Sequence, residues 1–80
     1  KNDTLASGNV FIGTSAGYRV NSGDKNIILG YFAGPSSNTV INKRLFINIG
    51  TDAFPLIYGE FDNKIVAFNG KVGVGTQTPS

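Results

Sequence analysis

The feature that most limits what this chain can become is a repeat. Asn9-Val10-Phe11-Ile12-Gly13-Thr14-Ser15-Ala16-Gly17 lines up with Asn26-Ile27-Ile28-Leu29-Gly30-Tyr31-Phe32-Ala33-Gly34 at an offset of 17. The Asn, the Ile/Leu position, the first Gly, the Ala and the last Gly agree between the copies. A third, degenerate copy follows 18 residues further on, where Leu45-Phe46-Ile47-Asn48 takes the Val-Phe-Ile-Gly slots. Turn-forming spacers, Asn21-Ser22-Gly23-Asp24 and Pro35-Ser36-Ser37-Asn38, separate the copies. Self-similarity at a fixed short period is the mark of units that stack on one another. Each copy reads as a short strand, a Gly-containing corner, a second short segment and a loop.

The strand core of every copy is three apolar residues in a row. Successive side chains on a strand point to opposite faces, so Val10 and Ile12 share one face and Phe11 takes the other. Stacking the copies predicts two apolar stripes: Val10, Ile12, Ile27, Leu29, Leu45 and Ile47 on one side, and Phe11, Ile28 and Phe46 on the other. A strand apolar on both faces is covered on both faces. One face would line a coil interior and the other would meet a neighbouring chain. Gly13 and Gly30 fit a backbone conformation or close approach that a Cβ would block, and Ala16 and Ala33 fit a crowded corner.

Composition narrows the options. At 80 residues and 8.4 kDa, a solitary core is marginal, and small domains resort to disulfides, metals or oligomerisation. There is no Cys and no His. Disulfides, zinc and haem ligation and Cys- or His-based catalysis are therefore excluded, and oligomerisation remains. Seven basic and five acidic residues, scattered singly for a net charge of +2, do not specify nucleic acid or an anionic membrane. Gly, Asn, Ser and Thr make up 32 of the 80 residues and favour turns over helices. The apolar residues are mostly Val, Ile and Phe, which suit pleated strands. No apolar run approaches a membrane span and no signal peptide is present. The absence of Met leads us to expect a processed product or a fragment of a longer chain. A monomeric β-sandwich with two similar hairpins is the plain alternative.

The pattern changes at Pro55. Leu56–Phe61 reads as a strand, Asp62-Asn63 as a turn and Lys64–Phe68 as a second strand. Asn69-Gly70 is a strong type I′ hairpin signal, and Lys71-Val72-Gly73-Val74-Gly75 alternates as a final strand. Thr76–Ser80 reads as the start of a linker. The organisation expected is one structural unit, with repeat coils over residues 1–50, an antiparallel β-meander over 51–75 and a linker from 76 to 80. No helix is expected anywhere.

These residues also resemble a known type of fibre sequence. The Asn-Val-Phe-Ile-Gly-x-x-Ala-Gly and Asn-Ile-Ile-Leu-Gly-x-x-Ala-Gly units are similar to head repeats of trimeric autotransporter adhesins, and more so to repeats in tail fibres of phages and prophages. Lys43–Asn48, Pro55–Phe61, Asn69–Thr76 and Thr78-Pro79-Ser80, in that order, resemble the segment such fibres carry before a C-terminal endosialidase-type intramolecular chaperone. The resemblance spans about residues 8 to 80. It implies an all-β fold of short trimeric β-solenoid or β-roll coils followed by an antiparallel meander. It also implies a homotrimeric, elongated shaft or tip exposed on a virion or bacterial surface, and names no ligand. The third repeat departs by losing its Gly and Ala corner, as a transition from coil to meander would. The chaperone is not in the sequence, as expected of a fibre segment after chaperone release or of a shortened piece of one.

Signals for site chemistry are weaker. Gly73-Val74-Gly75 lacks the third Gly, the following helix and the βαβ context of a dinucleotide loop. Asp52, Glu60 and Asp62 are the candidates for a glycosidase pair, set against solvated edge and turn carboxylates. No Asp/Asn cluster has calcium-loop spacing, and no cofactor or metal is expected. Asn2-Asp3-Thr4 matches a glycosylation sequon without meaning in a bacterial or phage protein. Lys43-Arg44 reads as solvated surface. Tyr18, Arg19, Tyr31 and Phe32 fall at corners after the strands. Rings stack on sugar faces and Arg binds anionic groups bidentately, so these four are candidate glycan contacts, with packing against a neighbouring coil or chain as the plain alternative.

The leading expectation is a non-enzymatic structural and adhesive segment of a homotrimeric extracellular fibre that projects or forms a receptor-binding tip. Its partners would be copies of itself and a bacterial surface glycan or receptor, with no nucleic acid and no membrane insertion. A carbohydrate-binding module for a surface polysaccharide is the second expectation. A depolymerase with an intersubunit carboxylate site is the third.

Overall fold

Three hydrogen-bonded rows of apolar residues organise the molecule. A computed structural model describes residues 7–50 and 54–78, and among these residues it is all-β with no helix. The strands are β1 (Val10–Ile12), β2 (Val20–Ser22), β3 (Ile27–Leu29), β4 (Thr39–Val40), β5 (Arg44–Ile47), β6 (Ile57–Glu60) and β7 (Ile65–Phe68). A five-stranded mixed sheet has the order β1-β3-β5-β6-β7, and β2 pairs with β4 in a small second sheet.

The three sequence copies supply β1, β3 and β5, which pair in parallel. Val10, Ile27 and Leu45 are in register, as are Phe11, Ile28 and Phe46, and Ile12, Leu29 and Ile47. The middle row faces inward. Ile28 is fully buried, Phe46 nearly so, and Phe11, Ala16, Val20, Ile41 and Tyr58 pack around them with buried Ala33. Val20 and Ile41 come from the β2–β4 layer, so the second short segment of each of the first two copies is the lid over the core. β2 takes in Asn21 and Ser22, which read as a spacer in the sequence.

Pairing does not stop at the strand ends. Gly30 N–H donates to Ile12 O at 2.9 Å, Phe32 to Thr14 O at 2.8 Å, Asn48 to Leu29 O at 3.2 Å and Gly50 to Tyr31 O at 2.6 Å. The corners are therefore stacked as closely as the strands. Gly30 makes this possible. Its φ is +125°, and a Cβ there would run into the carbonyl oxygen of Asn48 in the next copy.

Two side-chain columns tie the copies along the stack. Asn26, fully buried, donates its N–H and its Nδ2 to Asn9 Oδ1 (2.9 and 3.0 Å) and its Nδ2 to Ile41 O (2.9 Å). Its own Oδ1 accepts from Arg44 N–H at 2.9 Å. One corner away, Asp24 Oδ1 accepts from Ser7 N–H at 2.9 Å, and Asn42 Oδ1 accepts from Asp24 N–H at 2.8 Å. A buried amide is tolerable only when its donors and acceptors are met, and those of Asn26 are.

Beyond β5 the chain reverses. β5–β6 and β6–β7 are antiparallel, and Phe61–Lys64 form the β6–β7 turn with Lys64 at φ 59°. The meander expected over 51–75 ends at Phe68. Lys71–Gly75 form no strand, and neither Asn69 nor Gly70 has the positive φ of a type I′ turn. Asn69 instead donates its N–H to Leu56 O (2.9 Å) and its Nδ2 to Pro55 O (2.6 Å). These bonds use up the turn residue to close the far end of the β6–β7 ladder. Asp52 and Asn2-Asp3-Thr4 lie outside the described residues.

Candidate functional site

Two surfaces stand out, and the first is the outer face of the five-stranded sheet. Register puts Val10, Ile27, Leu45, Gly59 and Val66 in one outward row, and Ile12, Leu29, Ile47, Ile57 and Phe68 in the next. Neither row contains a polar side chain. Ile12 is 63% exposed, Val66 60% and Phe68 53%. An antiparallel sheet with one wet face normally alternates apolar with polar residues. This sheet does not, and at about 4.8 Å per strand its apolar strip runs roughly 20 Å across the molecule. Gly59 leaves a dip that Leu45 overhangs. The six residues of the predicted first stripe all lie on this face, and Phe11, Ile28 and Phe46 all lie on the inner one.

The second surface is the corner after β1 and β3. Residues 14–19 turn tightly, with Tyr18 N–H donating to Ser15 O at 3.2 Å. In the next copy Tyr31 and Phe32 make the equivalent corner. All four sequence-predicted glycan residues meet here. Phe32 packs edge-on to Tyr18 (centroids 5.5 Å) and to Tyr31 (4.6 Å), and the Arg19 guanidinium lies 4.9 Å from the Tyr18 ring centroid. Both tyrosines are more than half exposed, while Arg19 and Phe32 are half-buried. Arg19 Nε is buried without a hydrogen-bond acceptor among the described residues.

The carboxylates form a different kind of group. Arg44, read from the sequence as solvated surface, pairs with Asp62 through Nη1 at 2.9 Å and approaches Glu60 at 4.0 Å. Glu60 Oε2 accepts from Tyr58 OH at 2.8 Å and Oε1 from Asn63 Nδ2 at 2.6 Å. The bonds from Asn63 and then Tyr58 hold the Glu60 carboxyl below its ordinary pKa. A glycosidase general acid needs the opposite shift. Burial, reinforced by its bond to Glu60, pushes the Tyr58 phenol up. The cluster is built to join the β6–β7 turn to the start of β5.

Sequence reasoning missed the Asn9–Asn26 column as a structural device, although its signal, an Asn recurring at the repeat offset, was present. Among the described residues, no three of Asp, Glu, His or Cys are grouped to hold a metal ion, and no helix is long and apolar enough to cross a membrane. No family model, curated protein or solved structure matches the chain.

Proposed function

We propose that this chain is a segment of a homotrimeric extracellular fibre, of the kind found in phage or prophage tail fibres or bacterial surface adhesins. Its role is to project or form a receptor-binding tip. The three parallel copies act as coils of a short β-solenoid, and the antiparallel strands close it. The observation that carries this reading is the outward apolar strip on all five strands of the main sheet, from Val10 and Ile12 to Val66 and Phe68. An exposed face of this kind on so small a domain calls for burial against another copy. Three such faces turned to a common axis would shield one another, and repeated backbone ladders with two side-chain columns would make a stiff, protease-resistant rod.

The test is the solution mass of the chain by light scattering after size exclusion. The expected mass is about three times 8.4 kDa, near 25 kDa. A clean monomer at high micromolar concentration overturns the proposal and leaves a single-chain all-β fold whose outer apolar face is simply solvated.

A further inference from the structure

The corner built from Tyr18, Arg19, Tyr31 and Phe32 brings two exposed phenols and a guanidinium together on a left-handed backbone. Ser15, Phe32 and Gly50 fall at equivalent places in the three successive copies, and all have positive φ, at 57°, 55° and 90°. The stack demands this left-handed backbone at every level. A Gly meets the demand freely, whereas a bulky aromatic there is rare and costs roughly 1–3 kcal/mol. The strained Phe32 ring is wedged edge-on between Tyr18 and Tyr31 and fixes the two phenols relative to each other. Both phenols nevertheless stay more than half exposed. A wedge serving only the core would bury its neighbours.

Arg19 adds a charge with no carboxylate beside it among the described residues. Arg44 has two carboxylates beside it, whereas no ion pair is formed by Arg19 among the described residues. Its guanidinium is oriented by the Tyr18 ring, and its Nε is buried with no acceptor among the described residues, which leaves the terminal nitrogens to meet a ligand.

We infer that this corner binds an acidic pyranose, as found in a surface polysaccharide. The C–H face of the sugar lies on Tyr31, and its carboxylate is taken by Arg19, which Tyr18 positions. An aromatic face is electron-rich and attracts the C–H groups of a sugar ring, and a planar guanidinium matches a carboxylate in two parallel bonds. A single-stranded nucleic acid also stacks on aromatic rings, but it needs a basic groove along its backbone. This chain offers a lone Arg at the corner and a net charge of only +2.

The experiment is an amide-resolved NMR titration of the whole 80-residue chain with four probes. These are a hyaluronan tetrasaccharide, α2,8-linked disialic acid, maltotetraose as a neutral control and a short oligothymidylate. Shifts confined to residues around Tyr18 and Tyr31 are expected with at least one acidic sugar. Binding should weaken about tenfold in Tyr31→Ala and in Arg19→Gln, and little in Tyr31→Phe. Tyr31→Leu, which keeps an apolar side chain, serves as a second variant should the alanine change perturb the fold. The inference is overturned by any of four results: no shifts with either acidic sugar at millimolar concentration, equal binding of maltotetraose, tighter binding of the oligothymidylate, or unchanged binding in the variants. It is also overturned if Tyr31→Ala lowers the oligomer mass, which would make the corner a contact between chains. A monomeric wild type that still binds would sink the trimer alone.

Discussion

Asn26 lies directly beneath Asn9 in the stack, and its side chain and its backbone N–H both donate to the one Asn9 oxygen, at 3.0 and 2.9 Å. The same Asn26 side chain reaches down to Arg44 N–H and across to Ile41 O. One amide therefore links three successive levels of the sheet and the connecting segment between two of them.

Removing that amide should be costly. Asn26→Ala strands two backbone groups, Arg44 N–H and Ile41 O, and empties a fully buried position, so we expect a loss of about 3 kcal/mol in urea unfolding at fixed protein concentration. Asn9→Ala, at a half-buried outer position, should cost about 1 kcal/mol. Equal losses would show that the column is not cooperative.

Gly30 and Gly50 provide a matched pair. Both have positive φ, but a Cβ at Gly30 collides with the Asn48 carbonyl, while a Cβ at Gly50 has nothing within 4 Å. Gly50→Ala should cost about 1 kcal/mol, from backbone strain alone. Gly30→Ala must also push two levels apart, and should lose at least about 3 kcal/mol or fail to fold. Thermal melts of the two variants side by side decide the point.

Folding and assembly should separate at Ile12. In the single chain this residue is exposed, so Ile12→Asp should change the fold's own stability by no more than about 1 kcal/mol. At the centre of a chain–chain contact, however, the same carboxylate would be buried without a partner. The expected product is a folded species of monomer mass with unchanged far-ultraviolet dichroism. Ile28→Asp, inside the core, should not fold at all. An Ile12→Asp variant that retains the wild-type mass would remove the outer face from the interface.

Acid should loosen the β6–β7 turn. The Glu60 carboxyl is held below its ordinary pKa by Asn63 and Tyr58, so the folded state prefers it ionised. That preference contributes stability above the unfolded carboxylate pKa of about 4.3 and is lost as pH falls through the lower folded value. Tyr58 behaves in the opposite sense. Its phenol is raised by burial, so its contribution is complete below about pH 10 and disappears as pH rises through the folded value. Stability should therefore form a plateau between the two limits. Glu60→Gln should flatten the acid limb of a pH–denaturation profile and reduce the alkaline limb to the part that burial of Tyr58 supplies, and an unchanged acid limb would show the cluster to be inert.

The register of the fold was readable because two periods coincide in the sequence: alternation along each strand, and the spacing from Val10 to Ile27 to Leu45. Which row faces inward was not readable, since Val10-Phe11-Ile12 is apolar throughout and only the β2–β4 layer chooses the Phe11 side. The final strand was misread for a local reason. Asn69-Gly70 has the chemistry of a tight hairpin, but Pro55 and Leu56 carbonyls within reach of Asn69 offered it better bonds than a turn would. The corner residues were identified one by one. Their meeting depends on Tyr18 and Phe32 sitting at different places in their respective copies, which alignment by identity conceals.

The reversal at β6 gives the stack a blocked end. β5 has its far edge taken by an antiparallel neighbour, so no further parallel level can follow it, whereas among the described residues β1 keeps one edge free. Growth is therefore polar. An in-frame duplication ahead of Asn9 would add a rung and lengthen the molecule, provided the new rung brings its own Asn to stand above Asn9. The same duplication placed after Ile47 would have nowhere to dock. Evolution can thus adjust the reach of this protein like a ruler cut from one side, leaving the closing hairpin and the aromatic corner as they are.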